Sequence, residues 1–315
     1  MEKRRIGWRG TLKRMFRLNA NPVQLTDDPR TLAEAIARAL NEDRGNGTLF
    51  PEGVSGSAAT SSVLFLLGSH CGRHRGLDET CVVFNKRSRK VRQPGDLCFP
   101  GGSMTPRLDP FIGRLLSLPG LPLARWPYWS AWRRSKPREA RRLSLLLATG
   151  LREGFEEMRL NPLGVRVLGP LPAQNLILFH RVIYPMVGWV QRQTRFLPNW
   201  EVERIVYVPL RYLLNPERYA RYRLRFEGRH AGGEHHVEET QDFPCFIHHG
   251  RRGREMLWGA TYRIVTVFLE RVFAFRPPEL EALPVVHGVL NREYLDGQRR
   301  AYPPDNKQDE RREAL

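Results

Sequence analysis

The hexapeptide Arg152-Glu153-Gly154-Phe155-Glu156-Glu157 places three carboxylates at i, i+3 and i+4. On a helix, that spacing puts Glu153, Glu156 and Glu157 on one face, with neighbouring Cβ atoms about 5–6 Å apart. Like charges at that range repel, so the cluster calls for a counter-cation. An all-oxygen donor set suits Mg2+ or Mn2+, which are held by a few carboxylates together with substrate phosphates. The alternative for the bare string is a solvated acidic turn, and the surrounding chain has to weigh the two.

The elements that must position these acids lie upstream. Ser62–Leu67 and Thr80–Asn85 are short β-rich runs separated by a Gly/His/Arg loop, which reads as two strands of a mixed sheet. The second leads into Lys86-Arg87-Ser88-Arg89-Lys90-Val91-Arg92, which holds five cations in seven residues, and then into Pro94–Gly102. Pro100-Gly101-Gly102 lets the backbone turn tightly and approach a ligand without Cβ interference. Pro137 starts a helix that runs through Leu146 to Met158 and carries the acids, with Gly150 as its weak point.

The 315 residues suffice for one large domain or two ordinary ones, and 41% hydrophobic residues permit a proper core. A net charge of +18 points to polyanionic company: phosphorylated small molecules, nucleic acid or an anionic membrane surface. Cys71, Cys81, Cys98 and Cys245 lack CxxC spacing, so neither zinc nor a disulfide framework is expected. Cys81 and Cys98 read as buried free thiols, consistent with the cytoplasm or another reducing compartment. No apolar run reaches the length of a membrane span, so a soluble protein, at most peripheral to a membrane, is expected. The basic N-terminus has no apolar core of a secretory signal, which leaves an organellar presequence as the alternative.

Residues 1–26 read as a loosely ordered basic leader. Asp28-Pro29 caps a helix with Leu32, Ala35, Ile36 and Leu40 at helical spacing. Beyond the acids, Val182–Val190 is a strand interrupted by Pro185, expected near a sheet edge. Arg218, Arg221, Arg223 and Arg225 form a basic run that suits a solvated hairpin or a phosphate-side patch. His235-His236 and His248-His249 read as surface pairs in loops. Thr261–Phe275 reads as an amphipathic helix with Val265, Phe268, Leu269 and Val272 inward.

Five blocks carry a family resemblance: KRSRKVRQPGDLCFPGG (Lys86–Gly102), TGLREGFEEMRL (Thr149–Leu160), HRVIYPMVGWV (His180–Val190), EVERIVYVPLRYLLNP (Glu201–Pro216) and LWGATYRIV (Leu257–Val265). In that order, residues 62–275 resemble a Nudix hydrolase domain of the coenzyme A pyrophosphatase branch. The resemblance implies an α/β fold, the Nudix α/β/α sandwich: a mixed β-sheet with the catalytic helix on one face and the C-terminal helix on the other. Residues 1–55 would be a basic extension with one helix, 56–290 the Nudix domain, and 291–315 a charged, disordered tail.

The implied chemistry is metal-dependent hydrolysis of a diphosphate linkage in coenzyme A, acyl-CoA or a related nucleoside diphosphate derivative. By the resemblance, the Gly102 carbonyl and the carboxylates of Glu153, Glu156 and Glu157 coordinate Mg2+ or Mn2+, and Arg152 orients the carboxylates. Lys86, Arg87 and Arg92, with the Gly101-Gly102 turn, would meet the substrate phosphates. Glu201 and Glu203 are candidates for the glutamate outside the box that assists metal or water, or else surface acids at a strand entrance. The alternative function is a catalytically degenerate Nudix domain that binds a nucleotide-like ligand or an anionic surface.

Three departures from the family pattern stand out. Gly102 and Arg152 are 50 positions apart where the pattern has 14, an insertion of about 36 residues. The glutamate between them is missing: Leu108 or Ser144 falls at its position, with Asp109 and Glu139 as the nearby substitutes. Arg159 stands where the family has glycine, and Gly154 where it has a larger apolar residue. The insertion, about 109–145, mixes Trp126, Trp129 and Trp132 with eight Arg and Lys. Such a mixture suits an anionic membrane interface or a stacked nucleic-acid base, or a helical excursion that packs its tryptophans on the domain.

Overall fold

The computed structural model describes residues 22–42, 60–68, 79–176, 181–226, 239–250, 252–290 and 294. Residues 1–21 of the basic leader, His235-His236 and all of the tail except Tyr294 lie outside the described residues.

α1 (Pro29–Glu42) starts where the Asp-Pro pair demands. Asp28 accepts from the backbone N–H of Thr31 at 3.0 Å and of Arg30 at 3.3 Å, which satisfies two of the helix's orphan donors. β1 (Thr60–Gly68) and β2 (Cys81–Arg87) follow, and then the two short strands β3 (Leu97–Cys98) and β4 (Gly101–Ser103). Inserted next are α2 (Asp109–Leu116) and α3 (Trp129–Ser135), and then the long α4 (Pro137–Met158). The chain continues through β5 (Val165–Pro170), β6 (Gln174–Leu176), β7 (Arg181–Val190), β8 (Val202–Pro209) and the short α5 (Leu210–Leu213). β9 (Tyr219–Phe226), β10 (Glu239–Gly250), β11 (Gly253–Trp258), α6 (Gly259–Phe273) and β12 (Val285–Leu290) complete it.

The first sheet has the order β3-β2-β1-β7-β5, with β4 added to β1, β6 to β7 and β8 to β2. It is mixed: β1 runs parallel to β7 and antiparallel to β2. β1 reads as a continuous apolar run because it is central and covered on both faces. Leu64 and Leu66 pack with Leu143, Leu146, Leu147 and Leu151 of α4. Phe65 and Leu67 point the other way, into a core shared with Leu32, Ile36 and Leu40 of α1 and Val265, Phe268 and Leu269 of α6. The Phe65 and Phe268 ring centres lie 4.3 Å apart. Each such side chain contributes about 1.5–3 kcal/mol by leaving water. This is the α/β/α layering, and α1 belongs to it as a core element rather than as an extension. In a second sheet, β11-β10-β9-β12, only the hairpin read for Arg218–Arg225 has a counterpart in the sequence reading.

Several expectations are corrected. β7 is interior, between β1 and β5, although it contains Pro185. The Pro185 carbonyl accepts from Leu171 N–H, so its nitrogen also faces that side, where β5 has ended and β6 has not begun. No ladder bond is lost there. His248-His249 sits in β10, paired with β11, rather than in a loop, and His248 is buried, which holds its imidazole below the usual range. The Arg218–Arg225 run leads into and lies along β9, which pairs antiparallel with β10 as a hairpin. Cys81 is disulfide-bonded, not a free thiol; its partner lies outside the described residues. Cys98 is free, and burial pushes its thiol up to about 12. Trp126, Trp129 and Trp132 are all buried, and the Trp126 indole donates to the Leu168 carbonyl at 3.2 Å. They are therefore withheld from any membrane or base, while Arg125, Arg133, Arg134, Arg138 and Arg141 stay in water. No helix among the described residues is long and apolar enough to cross a membrane.

Candidate active site

α4 carries Arg152, Glu153, Glu156 and Glu157 on its last two turns, and β4 brings the glycine turn to them. Leu64 N–H donates to the Pro100 carbonyl, and Gly101–Ser103 pair with Ser61–Val63 of β1. The approach is close enough to forbid side chains. A Cβ on Gly101, whose φ is +156°, would lie 2.3 Å from the Ser62 carbonyl oxygen. A Cβ on Gly102 would lie 2.5 Å from the Glu153 carboxyl carbon. The structure thus brings the two halves of the site together across the insertion. Gly150 and Gly154 serve the same closeness from the helix side. A Cβ on either would press against Leu64 at 3.0 Å or Leu160 at 2.9 Å, so the glycines let α4 settle onto β1.

Glu157 is the most enclosed of the three acids. Asn85, fully buried at the end of β2, donates to it at 2.7 Å, and Gly101 N–H donates at 3.5 Å. Burial, and then the neighbouring Glu153 charge, push its carboxyl up to about 8. Glu153 is raised for the same leading reason, against the pull of Arg152. Glu156 is half exposed and is gripped by Arg152 Nη1 at 3.2 Å to both oxygens.

Arg152 is the hub. It reaches Glu153 Oε1 at 3.0 Å, the Ser103 carbonyl at 3.0 Å and Asp109 Oδ1 at 2.7 Å. Burial works against its charge, but the Asp109 hydrogen bonds and the Glu153 charge outweigh it and hold the guanidinium above its usual range. Asp109 is completely buried and also accepts from Thr105 N–H at 2.7 Å and from the Thr149 hydroxyl at 2.8 Å. Glu139, the other substitute weighed, sits in the first turn of α4. That is 13 residues from Arg152, about 20 Å along the helix, so it does not reach the cluster.

The basic residues separate. Lys86 is committed to Glu255, Nζ to Oε2 at 3.1 Å, in a network that includes Arg204 and Glu203 and ties the two sheets together. Arg87 donates to the Arg92 carbonyl at 2.7 Å, and the Arg92 side chain is exposed. Of the two outside glutamates, Glu201 lies near enough to Glu157 to raise its carboxyl, whereas Glu203 is paired with Arg204. One residue escaped the sequence reading as a site member: Asn85, whose only signal was a polar residue in an otherwise apolar strand. Asp109 was read as a substitute for the missing glutamate, and the structure makes it the partner of Arg152 instead.

Over 150 residues the chain is 28% identical to the peroxisomal coenzyme A diphosphatase NUDT7 of Mus musculus. The likeness is to a Nudix-type coenzyme A diphosphatase. The match takes in 47% of this chain and 48% of the relative, so the chain spans about half the length of the curated relative it matches. No family model matches. Solved structures of Nudix proteins align with it at low scores. A MutT/nudix family protein from Enterococcus faecalis has a TM-score of 0.34 at 11% identity, covering 79% of this chain and 75% of that one. The NUDIX domain of Shewanella oneidensis NrtR, crystallised with ADP ribose, has a TM-score of 0.30 at 13% identity, covering 52% and 81%. Superpositions at that level carry no weight here; the sequence relative and the site's own geometry do.

The donor set is all oxygen, and two observations fit a divalent cation. The Glu153 charge raises the Glu157 carboxyl, and Asn85 Oδ1 is buried without a hydrogen-bond partner. Among the described residues no three acidic, histidine or cysteine side chains gather as a ready-made cage. The chain offers an acidic pair beside backbone oxygens, which suits a cation that keeps several waters.

Proposed function

We propose that this chain hydrolyses a diphosphate linkage with Mg2+ or Mn2+, acting on coenzyme A, an acyl-CoA or a related nucleoside diphosphate derivative. The observation that carries the reading is the enclosed pair Glu153 and Glu157 beneath the Gly101-Gly102 turn, two carboxylates kept close at the cost of their charge. Glu153, Glu157 and the Gly102 carbonyl would hold the cation, with Glu156 joining from the exposed side. A divalent cation there neutralises the charge that builds on the non-bridging oxygens as water attacks.

The chain's own residues do the positioning. Arg152, fixed by Asp109, keeps Glu153 and Glu156 in place, and Asn85 holds Glu157. Glu201 is favoured over Glu203 to orient the attacking water, because only Glu201 senses Glu157. Arg87 and Arg92 would meet the phosphates, whereas Lys86 is engaged by Glu255. The choice of coenzyme A rests on the named activity of the mouse relative.

A second reading, a nucleotide-binding domain without turnover, is favoured by the lack of a three-ligand cage among the described residues. Purified protein with Mg2+ or Mn2+, tested on coenzyme A, acyl-CoA, ADP-ribose, NADH and dinucleoside polyphosphates, separates the two. Hydrolysis that disappears in Glu157→Gln with the fold intact supports the enzyme. Ligand binding without metal and without hydrolysis sinks it.

A further inference from the structure

α2 is apolar on the wrong side. Asp109, Gly113 and Leu116 face the protein and are buried. Leu108, Phe111, Leu115 and Leu118 recur three, four and three residues apart along α2 and its flanking turns, and they stand 44%, 57%, 40% and 50% exposed. At helical spacing these four share one face, opposite the buried one. Arg107 and Arg114, both exposed, border that face. Solitary exposed apolar residues need no explanation, but four in register along one short helix and its flanking turns do.

The charge along this stretch of the chain is one-sided. From Met104 to Arg142 the chain has nine Lys and Arg and only two acids, Asp109 and Glu139, and both acids are buried. We propose that the exposed face of α2 docks the protein on an anionic lipid surface, with Phe111 and the leucines entering the headgroup region and the surrounding arginines meeting lipid phosphates and carboxylates. A second copy of this chain is the poorer occupant, because it would set an all-cationic rim against another in a protein of charge +18. The short helix presents projecting side chains rather than a groove, which suits shallow insertion into an interface. Neither the docking nor its test depends on turnover.

The test is co-sedimentation of the full chain with phosphatidylcholine vesicles, with and without phosphatidylserine, at low and high salt. The expected result is binding only to the phosphatidylserine vesicles, weakening as salt rises, and a drop of roughly tenfold or more in partitioning for Phe111→Ser/Leu115→Ser. Both side chains are exposed, and an unchanged thermal melt shows that the double variant folds. Three results overturn the proposal. One is no sedimentation at low salt. Another is equal sedimentation of wild type and double variant, which assigns adsorption to basic segments elsewhere. The last is a dimeric mass in solution that the double variant abolishes, which makes the face a contact between copies.

Discussion

Asp109 and Arg152 meet Oδ1 to Nε at 2.7 Å with the carboxylate wholly out of water, so the acid that anchors the site's arginine comes from inside the insertion. The first prediction follows from that pair. Asp109→Ala leaves a guanidinium buried without its main partner and should destabilise the protein by about 3–5 kcal/mol. Asp109→Asn keeps the shape and loses the charge, so it should cost less stability while loosening Glu153 and Glu156. Urea unfolding of both variants, with Mn2+ titration of the Asn variant, checks this; wild-type stability in Asp109→Ala contradicts it.

Arg159 ends α4 in the left-handed conformation, with φ of 55° and ψ of 38°. The left-handed exit is therefore used although arginine stands in place of the family's glycine, with a side chain bearing its steric cost. A non-glycine residue there costs about 1–2 kcal/mol. Part of that is offset by its guanidinium over the Phe155 ring at 5.2 Å, a contact of about 0.5–1 kcal/mol when exposed. Arg159→Gly should leave stability unchanged or raise it by up to about 1 kcal/mol. A thermal melt that falls by several degrees would refute this account.

Glu157 makes the metal-free protein sensitive to pH. Its carboxyl rises from 4.5 to about 8, so between those values the folded chain keeps a proton that the unfolded chain has released. Stability from this group is complete below pH 4.5 and is lost as pH climbs through 8, by a few kcal/mol at most. Glu153 is shifted in the same direction. In a chelator, the stability difference between wild type and Glu157→Gln should therefore move in favour of the variant from about pH 5 to about pH 8.5. A difference that stays constant across this window would show that the carboxyl titrates normally.

Gly102→Ala inserts a methyl group 2.5 Å from the Glu153 carboxyl carbon. The carboxylate must swing away, so Mn2+ affinity measured by paramagnetic resonance should drop at least tenfold, with turnover falling alongside. Gly120, whose Cβ would meet nothing within 4 Å although its φ is +79°, is the control: Gly120→Ala should cost stability through its backbone and leave Mn2+ affinity alone. Equal Mn2+ affinity in the two variants would remove Gly102 from the site.

Local signals were legible where one element decides them. Asp28-Pro29 named its helix, and the Ser62–Leu67 run named a strand buried on both faces. The acids on α4 and the glycine turn were readable as residue types, but their meeting depends on β4 pairing with β1, a contact no spacing encodes. Asp109 was hard to choose because the insertion breaks the count that would assign it, and only the Thr105, Thr149 and Arg152 contacts single it out from Glu139. Pro185 misled for a related reason: a proline's tolerance in a strand depends on which neighbour its nitrogen faces, and that neighbour lies elsewhere in the chain. The tryptophans of the insertion read as ambiguous because composition does not say which side of a helix turns inward.

The glycine turn hangs from β1 through the Leu64 to Pro100 hydrogen bond and the pairing of Gly101–Ser103 with Ser61–Val63. Amide protons in a central strand of this kind exchange only when the whole domain opens. The backbone that faces the acidic pair is thus timed by global unfolding rather than by loop breathing, so this side of the acids stays in place for as long as the domain stays folded.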